Sequence, residues 1–158
     1  RRLKSFEVEL LHHSRTRKPD LEQEICIEYA TLDSLIERSD IISLSLPYTR
    51  ETHHLIDARR IAAMKDGVYI VNTARGQIID QVALIAALNN GKIAGAGLDV
   101  FAEEPLDPRN PLVSMDNVVL TPHLAASSEE AMKRMAVQVA EGVLKVLKGE
   151  TPDYPVSG

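Results

Sequence analysis

Val68-Tyr69-Ile70-Val71-Asn72-Thr73-Ala74-Arg75-Gly76 is the stretch whose reading decides the fold. Its first four residues are β-branched or aromatic and predict a short strand. A polar tail follows at once and carries a guanidinium. Asp80 is then placed to cap a helix over Gln81 to Asn89, with Gly91 just past its end. The same order of strand, polar loop and helix recurs on both sides. Upstream, Ile41-Ile42-Ser43-Leu44-Ser45-Leu46 reads as a strand stopped by Pro47, and Asp57 caps a helix from Ala58 to Lys65 that stops at Gly67. Further upstream, Val8 to His12 reads as a strand leaving a helix, Ile25 to Tyr29 as another short strand, and Thr31 as the cap of a helix through Arg38. Downstream, Ile93-Ala94-Gly95-Ala96-Gly97-Leu98 is small and apolar, which suits a strand packed closely on another layer. Val118-Val119-Leu120 is the last strand. A long helix from Ser128 to Lys148 follows, with Ser127 and Glu130 in a capping-box pattern and Gly149 as its stop. Met132, Met135, Val139, Val143, Val146 and Leu147 predict one buried face on it, with the methionines as core filler.

Alternating strands and helices predict an α/β fold, a Rossmann-like doubly wound parallel sheet with helices on both faces. In such sheets ligands sit outside the carboxyl ends of the strands, so the polar tails there are the places to search. No GxGxxG occurs in the chain, and Arg1-Arg2-Leu3-Lys4 opens as if in mid-helix. If the Val8 strand is the second of the fold, the first strand and the glycine loop lie upstream of Arg1, and the chain is a fragment. The expected division is a partial dinucleotide-binding domain over residues 1–126 and a helix with a proline-rich tail over 127–158.

Composition narrows the function classes. The 158 residues include 18 basic and 23 acidic side chains, for a net charge of −5. A mildly acidic chain without a basic block is a poor binder of phosphate backbones, so no nucleic-acid partner is expected. No apolar run approaches the roughly 18 residues of a membrane span, and no apolar segment of signal-peptide type follows the N-terminus. A single cysteine, Cys26, excludes an internal disulfide and any CxxC metal site, and it is expected to be buried. It fits a reducing, cytoplasmic setting. His12-His13 and His53-His54 come as adjacent pairs whose spacing matches no familiar metal motif, so no metal is expected.

Three stretches carry chemistry. Arg75, just past a strand end, can clamp a carboxylate through two parallel hydrogen bonds, or pair with a nearby surface acid. Gly97-Leu98-Asp99-Val100-Phe101-Ala102-Glu103-Glu104-Pro105 puts Asp99 at a strand end and an acidic turn behind it; Glu103 reads as solvated loop. Thr121-Pro122-His123 places a histidine directly after the last strand. A lone histidine is usually structural. One beside a carboxylate keeps its proton longer and can act as a general acid, and an arginine alongside would polarise an anionic carbonyl substrate. That set suits reduction of a 2-keto acid.

These blocks together resemble the D-isomer-specific 2-hydroxyacid dehydrogenases. Leu46-Pro47-Tyr48-Thr49-Arg50-Glu51-Thr52, Val71 to Gly76, Gly95 to Phe101, Glu104-Pro105 and Thr121-Pro122-His123 match that family in order and spacing. The resemblance implies that Arg75 binds the substrate carboxylate and carbonyl, that Glu104 pairs with His123, and that His123 gives the proton while the nicotinamide delivers hydride. It implies that Asp99 binds the carboxamide side of the nicotinamide, and that Pro47, Thr52, Thr73, Ala74 and Ala125 line the cofactor cleft. It also implies a second, substrate-binding domain, to which residues 127–158 return, and a homodimer. Two positions depart from the family pattern. Ala125 stands where many members have glycine, and Glu7 replaces a glycine before the second strand.

Cofactor choice follows from charge. NAD enzymes place an acid at the end of the second strand for the ribose 2′-hydroxyl. Here that stretch reads His13-Ser14-Arg15-Thr16-Arg17-Lys18, with no acid before Asp20. An arginine with hydroxyls favours a 2′-phosphate, so Ser14, Arg15 and Thr16 are the expected pocket for NADP, with NAD as the other candidate; a solvated basic turn is the plain alternative. A similar turn in glyoxylate and hydroxypyruvate reductases puts these first. Other members of the family, acting on phosphoglycerate, lactate or formate, remain alternatives, as does a nucleotide-sensing corepressor. Without a glycine loop, the 158 residues alone are expected to bind NADPH weakly and to show no turnover.

Overall fold

A computed structural model of the chain describes residues 2–155. Two compact units divide it, Arg1–Pro122 and His123–Gly158.

The first unit holds a parallel sheet of four strands, β3 (Ile41–Leu44), β4 (Val68–Asn72), β5 (Ile93–Leu98) and β6 (Val118–Leu120), in that spatial order. Period-two alternation separates the two faces of this sheet. Ile42, Leu44, Val68, Ile70, Ala96 and Leu98 are buried in the core. They pack with residues of α2 (Leu32–Arg38), α3 (Ala58–Ala63) and α4 (Gln81–Asn89): Ile36, Ile61, Leu84 and Leu88. The other face leaves Ile41, Tyr69 and Val119 more than half exposed. On that face Gly95 stands opposite Tyr69, and a Cβ there would lie 3.1 Å from the tyrosine ring. The small residues of β5 therefore admit the ring.

The helices start where the sequence predicts. Thr31, Asp57 and Asp80 each accept a hydrogen bond from a backbone N–H in the first turn of α2, α3 and α4. The prediction runs α3 slightly long, because Met64 already donates its N–H back to Ile61 as the cap.

A second, two-stranded parallel sheet pairs β1 (Leu11–His12) with β2 (Glu28–Tyr29). Among the described residues no strand pairing joins it to the first. Between β1 and β2 lies a helix that the sequence reading missed, α1 (Pro19–Ile25). Its proline at the first turn is a good start signal, since the missing N–H has no partner there in any helix. The strand expected from Ile25 shrinks to Glu28–Tyr29 because Cys26 ends α1 in the left-handed conformation, φ 52°. The same cap turns Cys26 to solvent, against the expectation that it is buried. Glu7, in a family glycine position, also has positive φ, 56°, which is the conformation glycine adopts most easily.

The second unit is built on α5 (Glu129–Leu147). Its cap is Ser128, whose Oγ accepts from Ala131 N at 3.2 Å, and not Ser127 as the motif suggests. Ser127 is engaged one turn earlier, donating its N–H to Leu124 O. The apolar stripe is real but uncovered. No residue of α5 is buried, and Met132, Met135, Val139, Val143, Val146 and Leu147 are all exposed. The expected buried face has no covering element among the described residues. No helix among them is long and apolar enough to cross a membrane.

Candidate functional site

The four strands of the main sheet end in register. Leu44 pairs with Asn72, Asn72 with Leu98, and Leu98 with Leu120. Everything that follows these residues therefore emerges at one carboxyl edge. Pro47, Thr73 to Arg75, Asp99 and Thr121 lie there by construction, which is what the sequence reading requires of a site in this fold.

Asn72 builds the Arg75 loop. It is only 1 % exposed. Its Oδ1 accepts from Ala74 N at 3.0 Å, and its Nδ2 donates to Arg75 O at 3.0 Å. One buried amide thus folds Thr73 and Ala74 into a fixed turn and leaves the Arg75 side chain exposed. The guanidinium Nη1 donates to Ala74 O at 2.6 Å.

The next loop is fastened to this one. Gly76 packs so tightly that a Cβ would stand 1.9 Å from Phe101 C and 2.0 Å from its oxygen. Gln77 Nε2 donates to Ala102 O at 2.9 Å. Within the acidic turn, Glu104 Oε1 accepts from Phe101 N at 3.0 Å, so this carboxylate is oriented by its own loop. The Glu104–Pro105 bond is cis.

Asp99 is 5 % exposed. Its N–H donates to Asn72 O at 3.0 Å, and its Oδ1 accepts from the Thr121 hydroxyl at 2.5 Å. Thr121 is in turn held by its N–H to Leu98 O. A buried carboxylate at a sheet edge needs such donors to stay there.

The loop after β3 is closed by Thr52. Its hydroxyl accepts from Thr49 N at 2.7 Å and donates to Pro47 O at 3.0 Å. This fixes the position of Pro47 and gives Thr52 a turn-closing part.

Past β1, Ser14 Oγ donates to Thr16 O at 2.9 Å, and Arg15 and Thr16 are exposed. His123 opens the second unit. It is exposed and has φ 56°, a conformation uncommon for a residue with a side chain; Ala125 is exposed beside it. The first unit accordingly brings Arg75, Thr73, Ala74, Asp99 and Pro47 to one edge and places Glu104 on a loop tied to Arg75. Asn72, Thr121 and Gln77 are the residues that the sequence reading passed over. Asn72 and Thr121 stand inside the quoted blocks, but nothing in the sequence says what faces them.

Comparison with known proteins gives a consistent result. The family model "D-isomer specific 2-hydroxyacid dehydrogenase, NAD binding domain" matches residues 1–125. A glyoxylate reductase of Thermofilum pendens is 49 % identical over 153 residues, covering 96 % of this chain and 45 % of the relative. The apo D-mandelate dehydrogenase of Rhodotorula graminis superposes with a TM-score of 0.91 at 36 % identity, covering 99 % of this chain and 46 % of that one. A D-lactate dehydrogenase of Aquifex aeolicus, complexed with NAD and lactic acid, gives 0.82 at 37 % identity, over 93 % of this chain and 48 % of that one. The chain spans about half the length of the curated relatives it matches.

Proposed function

The chain belongs to the D-isomer-specific 2-hydroxyacid dehydrogenase family through its NAD-binding domain, and we propose on that premise that the whole protein reduces a small 2-keto acid, glyoxylate or hydroxypyruvate first, to the D-2-hydroxy acid. The observation that carries this reading is the register of the strand ends, which sets Arg75, Asp99 and Pro47 along one edge. The residues present fit a nicotinamide nucleotide at its two ends. Buried Asp99, already ordered by Thr121, is the acceptor for the carboxamide amine. The Ser14–Thr16 turn offers a cation and hydroxyls to the adenosine ribose. The nicotinamide supplies the hydride when bound.

The remaining parts fall to side chains of this chain. Arg75 grips the substrate carboxylate with its planar fork and polarises the carbonyl. His123 Nε2–H donates the proton to the carbonyl oxygen as hydride arrives, and Glu104 is its partner carboxylate. Pro47, Thr73, Ala74 and Ala125 wall the cleft, with Thr52 holding Pro47. Use of NAD(H) follows from the family's domain, and the lack of an acid between His12 and Asp20 supports a preference for NADPH. We place the enzyme in the cytoplasm as a homodimer, in keeping with its single cysteine and with the family resemblance.

The test uses the whole protein, with nicotinamide absorbance followed for glyoxylate and hydroxypyruvate. Oxidation of NADPH in preference to NADH is expected. His123→Ala should lower kcat by about 100-fold or more. Turnover that survives His123→Ala removes the proton-donor assignment. Tight nucleotide binding without turnover of either keto acid overturns the substrate reading. Activity on D-lactate or D-mandelate would then move the protein to the chemistry named for its structural neighbours.

A further inference from the structure

The turn after β1 is fastened by a residue that the proposed reaction leaves unassigned. Glu22, on α1, is 9 % exposed in a strip where its neighbours Leu21 and Gln23 are open to solvent. Arg17 meets it with two prongs, Nη2 to Oε2 at 2.5 Å and Nε to Oε1 at 3.4 Å. Lys18 N donates to Oε1 at 3.2 Å. The same guanidinium lies 4.6 Å over the Tyr29 ring. His12 Nε2 stands 3.2 Å from Oε1 without the alignment of a hydrogen bond. At the other end of the turn, His13 Nδ1–H donates to Ala30 O at 3.0 Å, and Ser14 closes onto Thr16. The Arg17 guanidinium and the Lys18 amide are thereby drawn toward α1. Among the described residues Arg15 has no hydrogen bond or ion pair, and exposed Glu51, on the loop after β3, feels its charge.

We propose that Glu22 is a positioning residue for coenzyme choice: by clamping Arg17 and the Lys18 amide it fixes the turn so that Arg15 is the cation presented to the 2′-phosphate of the nucleotide. The inference rests on the NADPH reading above. A flexible turn would have to be ordered at the moment of binding, and the clamp removes that cost beforehand. The proposal also gives the two arginines different parts. Arg15 touches the phosphate, whereas Arg17 acts only through Glu22 and Tyr29.

The experiment measures the ratio of the NADH to the NADPH dissociation constant in the whole protein, with adenosine 2′,5′-bisphosphate and 5′-AMP as minimal probes. Glu22→Gln, Arg17→Gln and the double variant are expected to reduce the ratio by about tenfold, each to the same level, because they break one clamp. Asp20→Asn, on the same helix and outside the clamp, keeps the parent ratio. The Arg17 side chain is 56 % exposed, so Arg17→Gln opens the clamp from its solvent side and reads the ratio should Glu22→Gln fail to fold. A ratio that is unchanged or raised in Glu22→Gln overturns the proposal, because Arg17 would then be a direct phosphate ligand or the turn would stand unaided. Arg15→Ala separates the two levels of the argument. If the parent shows no preference for the 2′-phosphate and Arg15→Ala changes nothing, the NADPH reading falls and the clamp's role falls with it. If Arg15→Ala abolishes the preference while the clamp variants keep it, the clamp alone fails.

Discussion

Two residues without chemistry of their own decide whether Arg75 can work. Asn72 is buried and uses both ends of its amide on the loop that carries Arg75. Asn72→Ala strands a buried N–H and a carbonyl, and should cost about 1–3 kcal/mol in urea denaturation. If Arg75 binds the keto acid, the same variant should raise KM for it more than it lowers kcat. Gly76→Ala is more severe, because the added carbon would stand 1.9 Å from backbone that cannot swing aside. It should yield little folded protein on expression, whereas Gly91→Ala, with open space around it, should fold and strain only its positive φ. The strand-end positions of Arg75 and Asp99 were legible in the sequence, because each follows within a few residues of an apolar run. Asn72, Thr121 and Glu22 were not, because their importance lies in partners distant in sequence or hidden by the fold: Thr121 is 22 positions from Asp99.

At the scale of elements, the strip β1–α1–β2 depends on arginine–carboxylate forks. The Arg17 hydrogen bonds hold the Glu22 carboxyl below the usual range against its own burial, and those of Arg38 hold the exposed Glu28 carboxyl below it too. Both carboxyls ordinarily titrate near 4.5. Since the folded values are lower, their stabilisation is complete above that pH and is lost as pH falls through the folded values. The unfolding midpoint in urea should therefore start to drop as pH falls below about 4.5 and go on dropping through the lower folded values, and Glu22→Gln should flatten the drop. Caps were the most readable feature of the elements, since Asp or Thr before an apolar period has one use. The exception is instructive. Two adjacent serines precede α5, and only the hydrogen bond of Ser127 to Leu124 decides that Ser128 is the cap. Ser128→Ala should destabilise the helix by about 1 kcal/mol, and Ser127→Ala, which keeps that backbone bond, by much less. Helix α1 escaped the sequence reading because its N-cap is Lys18, which makes no side-chain cap hydrogen bond, whereas α2 and α3, no longer than it, announce themselves by Thr31 and Asp57.

The whole molecule pairs a well-covered face with an open one. The side of the sheet under α2, α3 and α4 is a packed core. Ile41, Tyr69 and Val119 on the reverse, and the stripe of α5, are exposed. The amphipathic period of α5 was legible, but a period states only that a face is apolar, not that this chain supplies its cover. Exposed apolar surface of this kind, on either unit, binds dyes and associates. The 158 residues alone should bind anilinonaphthalene sulfonate and self-associate at micromolar concentration, and charge placed on the stripe by Val143→Lys with Leu147→Glu should reduce both. A monodisperse, dye-silent chain would show that these surfaces close on themselves.

The contact of Gly76 with Phe101 and Ala102 has a consequence for how such a protein can change. Two loops that touch backbone to backbone are inherited as one part. A substitution that shifts either by an ångström must be answered in the other, so variation in this region is expected to arrive in matched pairs. Loop grafts between relatives should then succeed only when residues 73–77 and 101–104 travel together. The arginine and the acid would evolve as a cassette, free to be retuned for a new keto acid without being taken apart.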